Sequence, residues 1–493
     1  MTDKRHIVHA GIGLVNDDFQ RDVALLVEGA SILEIGGRAA LANRHPTVPV
    51  FGGENLLLMP GLVNSHDHGR ALGTVALGLP DDLLEVWLAG LGSLPRIPPQ
   101  LAAQYEGWLL IRSGVTSVAH SHNPASLATM FEEIPETLAG YRQAGLRVAM
   151  FPPLLDQNTL VYLDEEGFLS SLPAELRALA ITRATPPALS LDAWLDGLQH
   201  LYDHYHDARE HRVHVQASPV GGQWASDALI QGAAEWARAN GTRAQMHMLE
   251  SPYQRHYAWR RWGQGFIQKL DELDALGDWL TLAHMVWTEA DDPALLSDRG
   301  VSVAHNPSSN LRLRSGIAPV AQFRKAGVNV GIGMDGHTLD EDQDYLREMR
   351  LAFTLGNRPG AHAEDLTPGD VLTMGTRGGV HATFGQEVSL GSLKAGWLAD
   401  LVLLDWQAIR GDWAPPQIPS IDHLPEFLLR RANRSHVRHV MVHGEWVLGD
   451  GVHTRLDENS LHDSMREALA QQLPSSAHLL GPLLRQFYAN WPD

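Results

Sequence analysis

The sequence predicts an α/β chain: a (β/α)8 TIM-type barrel beside a small β-domain assembled from both termini. Three observations lead there. Through the middle of the chain, eight short β-branched or apolar runs alternate with helix-like segments. Several of those runs end in histidine or aspartate, and the two ends of the chain break into short strands parted by Gly, Asn and Asp. Strands alternating with helices argue for a parallel sheet, and eight such units suggest a closed barrel.

Taken in order, residues 5–58 contain "HIVHAGIGLV", "VALLVEGASILEIG" and "VPVFGGENLLLMP", short strands with hairpin-like turns. The barrel runs follow: "LLMPGLVNSH" (57–66), "VTSVAHSH" (115–122), "LRVAMFPP" (146–153), "RVHVQASP" (212–219), "RAQMHMLE" (243–250), "WLTLAHM" (279–285), "GVSVAHNP" (300–307) and "GVNVGIGMD" (327–335). Between them, "DALIQGAAEWARAN" (227–240) and "PVAQFRKAG" (319–327) read as helices, the second closing on a Gly. After about residue 386, "LGSLKAGWLADLVLLDW" and "VRHVMVHGEWVLGDG" return to short strands. Neither end has enough strands for a stable sheet alone, so the two should meet. "ENSLHDSMREALAQQL" reads as a helix capped by Asn or Ser. The expected divisions are 1–58 and 386–450 for the β-domain, 59–385 for the barrel and 451–493 for a helical tail.

Composition narrows the function. Of 493 residues 38 are basic and 58 acidic, a net charge of −20. So negative a surface repels phosphates, which argues against nucleic acid and anionic membranes as partners. There are no cysteines, so disulfides, thiolate zinc sites and thiol nucleophiles are excluded. The start, "MTDKRHIVHAGIGLVNDDF", has no signal-peptide core and no apolar run reaches spanning length. A soluble, cytoplasmic protein acting on a small molecule is expected.

The 26 histidines matter only if they converge. His66 and His68 are one residue apart, so in a strand they share a face. They end strand one; His247 ends strand five, His284 strand six and Asp335 strand eight. Active sites of such barrels lie at the C-terminal strand ends. Three imidazoles and a carboxylate can hold a divalent metal and leave a position open for water. A lone His is ordinarily a packing residue; convergence at four strand ends argues for a site. Other motifs are weak: "GIGMDG" lacks the spacing of a dinucleotide fingerprint, and Ser218 in "ASPVGGQ" precedes Pro219 rather than forming a nucleophile elbow.

The ordered set "PGLVNSHDH", "HMLE", "LAH", "AHNPSSNLRLRSGIAPV", "GIGMDG" and "GSLKAGWLADLVLLD" resembles the amidohydrolase superfamily. The similarity is to its branch of cytosine, guanine and S-adenosylhomocysteine deaminases and triazine hydrolases. The resemblance implies a distorted barrel with a β-sandwich from both termini, and a homo-oligomer, in the first place a dimer. It implies His66, His68, His247 and Asp335 as metal ligands, with Asp335 also accepting a proton from the attacking water. His284 would contact the water or the substrate oxygen, and Glu250 of the "HxxE" pattern would shuttle protons from a loop just past strand five. Relatives with two metals carry a bridging carboxylated Lys on strand four; "RVHVQASP" has none, which implies one divalent ion per chain. Zinc is expected first, with iron(II) or manganese as alternatives, because N/O ligands choose weakly among them.

The implied activity is that of a metal-dependent aminohydrolase acting on a nitrogen heterocycle such as a purine, pyrimidine, pterin or triazine. Hydrolysis of an acyclic amide, amidine or carbamate is the alternative. A non-catalytic binding relative is a third reading, opposed by the intact ligand set and Glu250. Substrate candidates are His122 of "AHSHNP", where relatives carry an Asp-containing sequence, Gln216, Gln223 and Trp224 after strand four, Trp87, His337 beside Asp335, and Asn306. A second metal at His120 and His122 lacks supporting carboxylates. Arg312 and Arg314 could meet a substrate anion or form surface ion pairs.

Overall fold

The computed structural model describes residues 5–184, 189–357, 359–361, 366–415, 419–470 and 477–491. Each of the eight runs forms a strand: Leu62–Asp67, Val115–Ser121, Arg147–Phe151, Val213–Val215, Ala244–Met248, Leu280–His284, Ser302–His305 and Asn329–Ile332. They pair in parallel in one sheet, in chain order except that strand eight joins strand one. A parallel bridge between Ala217 and Ala244, just past strand four, closes the ring onto strand five. The join between strands eight and one is slight, a single ladder pair at Ile332 and Asn64. There the chain is held instead by Met334 N and Asp335 N on the carbonyl of His66, at 3.1 and 2.9 Å. The barrel is therefore distorted at the seam that carries three of the candidate ligands, His66, His68 and Asp335.

The run at 57–66 is not one strand. Val50–Pro60 belongs to the terminal sheet and Leu62–Asp67 to the barrel. Gly61 turns the chain between them, against Thr116: a Cβ there would lie 2.2 Å from Thr116 Oγ1. An unbroken apolar pattern hides this turn because both strands are buried.

The terminal sheet has eight strands, four from each end of the chain. Leu401–Asp405 pairs antiparallel with Val50–Pro60 and so sews the halves together. The first hairpin, Arg5–Val15 with Asp18–Glu28, turns at Asn16 and Asp17, both with positive φ, as a two-residue hairpin turn requires. The sheet curls until its edge strand Ser31–Gly36 meets Leu398 again, enclosing Val8, Val23, Leu25, Ile32, Leu58, Leu401 and Met441. It extends through Val452–His453, past the expected boundary at 450. Barrel strand three is pinned to this sheet by the buried Arg147–Asp400 pair, with both N–O distances 2.8 Å.

The helix expected near 458 runs from Glu458 to Ala470, and its cap is Asp457, whose Oδ1 accepts from Ser460 N at 2.8 Å, rather than Asn or Ser. Residues 471–473 of that stretch lie outside the described residues. A second helix, Gly481–Ala489, packs on helix Leu84–Leu91 at the C-terminal mouth of the barrel. Among the described residues no helix is long and apolar enough to cross a membrane.

Candidate active site

The barrel brings His66, His68, His247, His284 and Asp335 to one point. The ligand atoms of His66, His68 and His247 lie within 4.8 Å of one another, as do those of His66, His284 and Asp335. Each imidazole is held by its far nitrogen. His68 Nδ1 donates to the carbonyl of Ser121 at 3.0 Å and His247 Nδ1 to the carbonyl of Val220 at 2.6 Å. His66 Nδ1 donates to Gln245 Oε1 at 2.6 Å; that amide is oriented by its own Nε2, which donates to the carbonyl of Ser65. A carbonyl cannot donate, so the protons sit on Nδ1 and all three Nε2 lone pairs face inward. Burial pushes His68 down to about 4 and His247 well below its ordinary value, which keeps the rings neutral at pH 7.

These lone pairs confront one another. His68 Nε2 stands 3.1 Å from His247 Nε2, and Asp335 Oδ1 stands 3.2 and 3.4 Å from the Nε2 atoms of His68 and His66. His66 Nε2 and Asp335 Oδ1 are buried without a hydrogen-bond partner. Such an array of acceptors is repulsive by itself, and a cation at its centre resolves it. Donors about 2.0–2.2 Å from one tetrahedral ion are separated by about 3.3–3.6 Å, close to the 3.1–3.4 Å found here. The other oxygen of Asp335 accepts from Ser309 Oγ at 2.5 Å, which fixes the carboxylate.

Glu250 and His284 complete the group. Strand five ends at Met248, and Leu249 takes φ 51°, which turns the chain so that Glu250 points back over the barrel instead of away. Its Oε2 is 3.6 Å from His284 Nε2, its Oε1 is buried and unpaired, and only 2% of the residue is exposed. Burial, then the charge of Asp335, raises its pKa well above the carboxylate range. His284 Nδ1 lies 2.9 Å from Asn310 Oδ1, leaving Nε2 as an acceptor toward the cavity, and burial holds the ring at about 4. His284 and Asp335 also take positive φ, 76° and 57°, conformations that cost a side-chain-bearing residue energy and recur where geometry serves a site.

These residues open into a cavity of about 240 Å³, walled on its apolar side by Leu84, Trp87, Leu155, Tyr162, Trp224 and Leu484. A larger cavity of about 1080 Å³ adjoins it, sharing His68, Arg70, Asn123 and His247 and reaching Ile97, Glu132 and Glu136. Of the substrate candidates, Trp87 and Trp224 line the inner cavity and His122 the outer one. His122 Nδ1 is 3.3 Å from His120 Nε2, and its Nε2 3.6 Å from Glu133; His120 in turn meets Tyr141. The other four stand behind the walls. Gln216 faces the outer helix layer, donating to the carbonyl of Thr383 at 2.7 Å. Asn306 sits behind His284, 3.3 Å from its Nδ1, and His337 behind Trp87, with Nε2 3.2 Å from Asp81. Gln223 is fully buried, with neither side-chain nitrogen nor oxygen partnered. Arg312 is held by Asp81 and Glu341, and exposed Arg314 reaches Asp82 at 3.8 Å, so both serve ion pairs.

Sequence reasoning missed the residues that support the site: Gln245, Ser309, Asn310, Arg70 and Glu85. Glu85 is buried on the inner wall, its Oε1 accepting from Tyr162 OH at 2.9 Å and from Ser251 Oγ, while Oε2 has no partner. Burial raises its pKa. A Glu in the first turn of helix Leu84–Leu91 carries no local sign of this.

Comparison with known proteins agrees with this geometry. The chain is 29% identical over 452 residues to 5'-deoxyadenosine deaminase of Methanosarcina mazei, covering 90% of this chain and 92% of the relative. It is 31% identical over 446 residues to 5-methylthioadenosine/S-adenosylhomocysteine deaminase of Natronomonas pharaonis, covering 89% and 91%. Among solved structures, an adenosine deaminase from Xanthomonas campestris with bound zinc superposes with a TM-score of 0.75 at 24% identity, over 94% of this chain and 98% of that one. Atrazine chlorohydrolase TrzN from Arthrobacter aurescens, complexed with zinc, gives 0.78 at 21% identity, over 94% and 99%. The profile of the amidohydrolase family matches residues 57–447, a span that holds every barrel strand and every residue of the acceptor cluster, and the chain belongs to that family.

Proposed function

We propose that this chain is a mononuclear, metal-dependent aminohydrolase that removes an amino group from a nitrogen heterocycle bearing a sizeable substituent. The observation that carries the reading is the meeting, in one cavity, of an unsatisfied acceptor cluster of three imidazoles and a carboxylate with a buried carboxyl of raised pKa. We assign His66, His68, His247 and Asp335 as ligands of one ion, zinc by preference. Such an ion supplies Lewis acidity and an acidified water. Asp335 Oδ1, which has no hydrogen-bond partner, would take a proton from that water while Oδ2 stays on Ser309. His284 Nε2, an acceptor, orients the water, a role the hydrogen bond to Asn310 favours over donation to an oxyanion. Glu250 would give the proton it holds in a dry position to a ring nitrogen and recover one from the added hydroxyl as the carbonyl forms, while the proton taken up by Asp335 would leave with the amine as ammonia.

The adjoining cavities suit a ring beside the metal cluster with its substituent in the outer space, and the named activities of the relatives on adenosine-type nucleosides support that division. The reading includes a homo-oligomer, in the first place a dimer, which light scattering would test. Its central test is twofold: elemental analysis expected to give about one divalent ion per chain, and ammonia release across aminopurines and their nucleosides, aminopyrimidines, pterins and aminotriazines. Release from acyclic amides alone, or full activity without metal, overturns it.

A further inference from the structure

Arg70 is a cation at the heart of the site with no carboxylate in direct contact; the charges of Asp335, Asp67, Glu106 and Glu250 reach it only at longer range. Gly69, at φ 58°, turns the chain directly after His68; a Cβ there would lie 2.4 Å from the ring of His120. The turn carries the Arg70 side chain back across the barrel mouth, where Nη1 donates to the backbone carbonyl of Asp335 at 2.6 Å. Its guanidinium carbon lies 5.0 Å from the centre of the Trp87 ring. Arg70 lines both the inner and the outer cavity, at their junction. Its Nε is buried with no partner. Among the described residues no carboxylate oxygen lies within 4.0 Å of the guanidinium.

The chain treats other buried guanidinium groups differently. Arg147 has Asp400, and Arg312 has Asp81 and Glu341. Arg243 lacks a carboxylate but stands outside these cavities and gives two nitrogens to acceptors, the carbonyl of Asp278 and Thr281 Oγ1. An unpaired cation in a poorly hydrated place is costly, and a ligand oxygen that relieves it gains a charge-assisted hydrogen bond. Arginine is suited to this because its planar fork offers several donors and stacks on an aromatic face.

We propose that Arg70 binds an anionic or carbonyl oxygen attached to the substrate ring, so that the preferred substrates are oxygen-substituted amino-heterocycles rather than oxygen-free ones. This rests on the aminohydrolase reading and names the substrate class of that same site. The ring lies along Trp87, the amino-bearing carbon points toward the acceptor cluster, and the oxygen takes the free edge of the guanidinium. The oxygen can be a ring carbonyl or a carboxylate joined directly to the ring; the chemistry Arg70 reads is the same.

The test is equilibrium binding by calorimetry to zinc-loaded protein in a Glu250→Gln background, where turnover is suppressed. Ligands come in pairs differing in one group: isoguanine against adenine, guanine against 2-aminopurine, and 4-aminopyrimidine-5-carboxylate against 4-amino-5-methylpyrimidine. The first two pairs report a ring oxygen, the third a carboxylate. In at least one pair the oxygen-bearing member should bind about ten- to 100-fold tighter, the usual worth of a hydrogen bond to a charged group. Arg70→Met, which keeps a chain over Trp87, should shrink that advantage to about threefold or less, with zinc content unchanged. Arg70→Lys should retain part of it. No advantage in any pair overturns the proposal without need of a variant, as does an advantage that survives Arg70→Met. Because binding is read apart from ammonia release, a protein that deaminates the panel yet ignores the oxygen refutes the role of Arg70 alone. One that favours the oxygen yet releases no ammonia refutes the aminohydrolase reading alone.

Discussion

Replacing Glu250 with Gln isolates the proton from everything else the residue does. The side chain keeps its size, and its backbone N–H keeps its bond to Gln254 Oε1 at 2.8 Å. The nearest imidazole nitrogen is 3.6 Å away and Glu250 is only 2% exposed, so bulk solvent has no ready route by which to supply the proton in its place. General acid–base assistance is worth roughly 10²–10⁴-fold, or about 2.7–5.4 kcal/mol of barrier at 1.36 kcal/mol per factor of ten. The burial of Glu250 puts the expectation at the upper end of that range. The ligand cluster does not include Glu250, so elemental analysis should find the metal content of the wild type. Ammonia release under saturating substrate should show the full loss in kcat, while a ground-state analogue should bind almost as before, because the proton matters as the intermediate forms. A variant that turns over at the wild-type rate, or one that loses its metal, refutes the assignment.

Other consequences are as direct. Gln245→Leu removes the acceptor that holds His66 Nδ1 and should weaken metal affinity by about 10–100-fold, read by competition with a chelator. His284→Asn should retain the metal and lose turnover if the ring only orients water; an emptied site would make His284 a ligand. His122→Ala should raise KM for substrates with bulky substituents and leave metal content unchanged, since His122 lines only the outer cavity. Glu348 is buried and raised by that burial from 4.5 to about 7, with Ser308 N and Oγ donating to it. The folded state then binds the extra proton, so stability is fullest below about pH 4.5 in this one contribution and is lost as pH rises toward about 7. Glu348→Gln should flatten that part of the stability–pH profile by a few kcal/mol; a wild-type slope in the variant would count against it.

Much of this was legible in the chain. The eight strands were marked by apolar runs with helices between them, and the cluster was marked because His66, His68, His247, His284 and Asp335 each stand where a run stops. Strand parity alone put the opening pair on one face. What escaped was whatever depends on contacts distant in sequence. Gln245 and Asn310 are ordinary polar residues until the fold puts them behind imidazoles contributed from elsewhere. Gln216 was misplaced toward the substrate because it lies at a strand end, whereas its side chain turns outward to the carbonyl of Thr383. Arg70 is one more charge in a loop until the fold sets it at the junction of the two cavities with no carboxylate in direct contact.

The helix Gly481–Ala489 supplies Leu484 to the inner cavity, and its Tyr488 and the following Trp491 meet Tyr162 edge-on, with ring centroids 5.7 and 6.5 Å apart. Translation therefore delivers the candidate site residues long before it delivers this part of the cavity wall. A nascent chain can close its barrel and gather every histidine while the site still lies open to water on that side. Domains form as units during synthesis, but competence here waits for a segment synthesised after both the barrel and the terminal sheet.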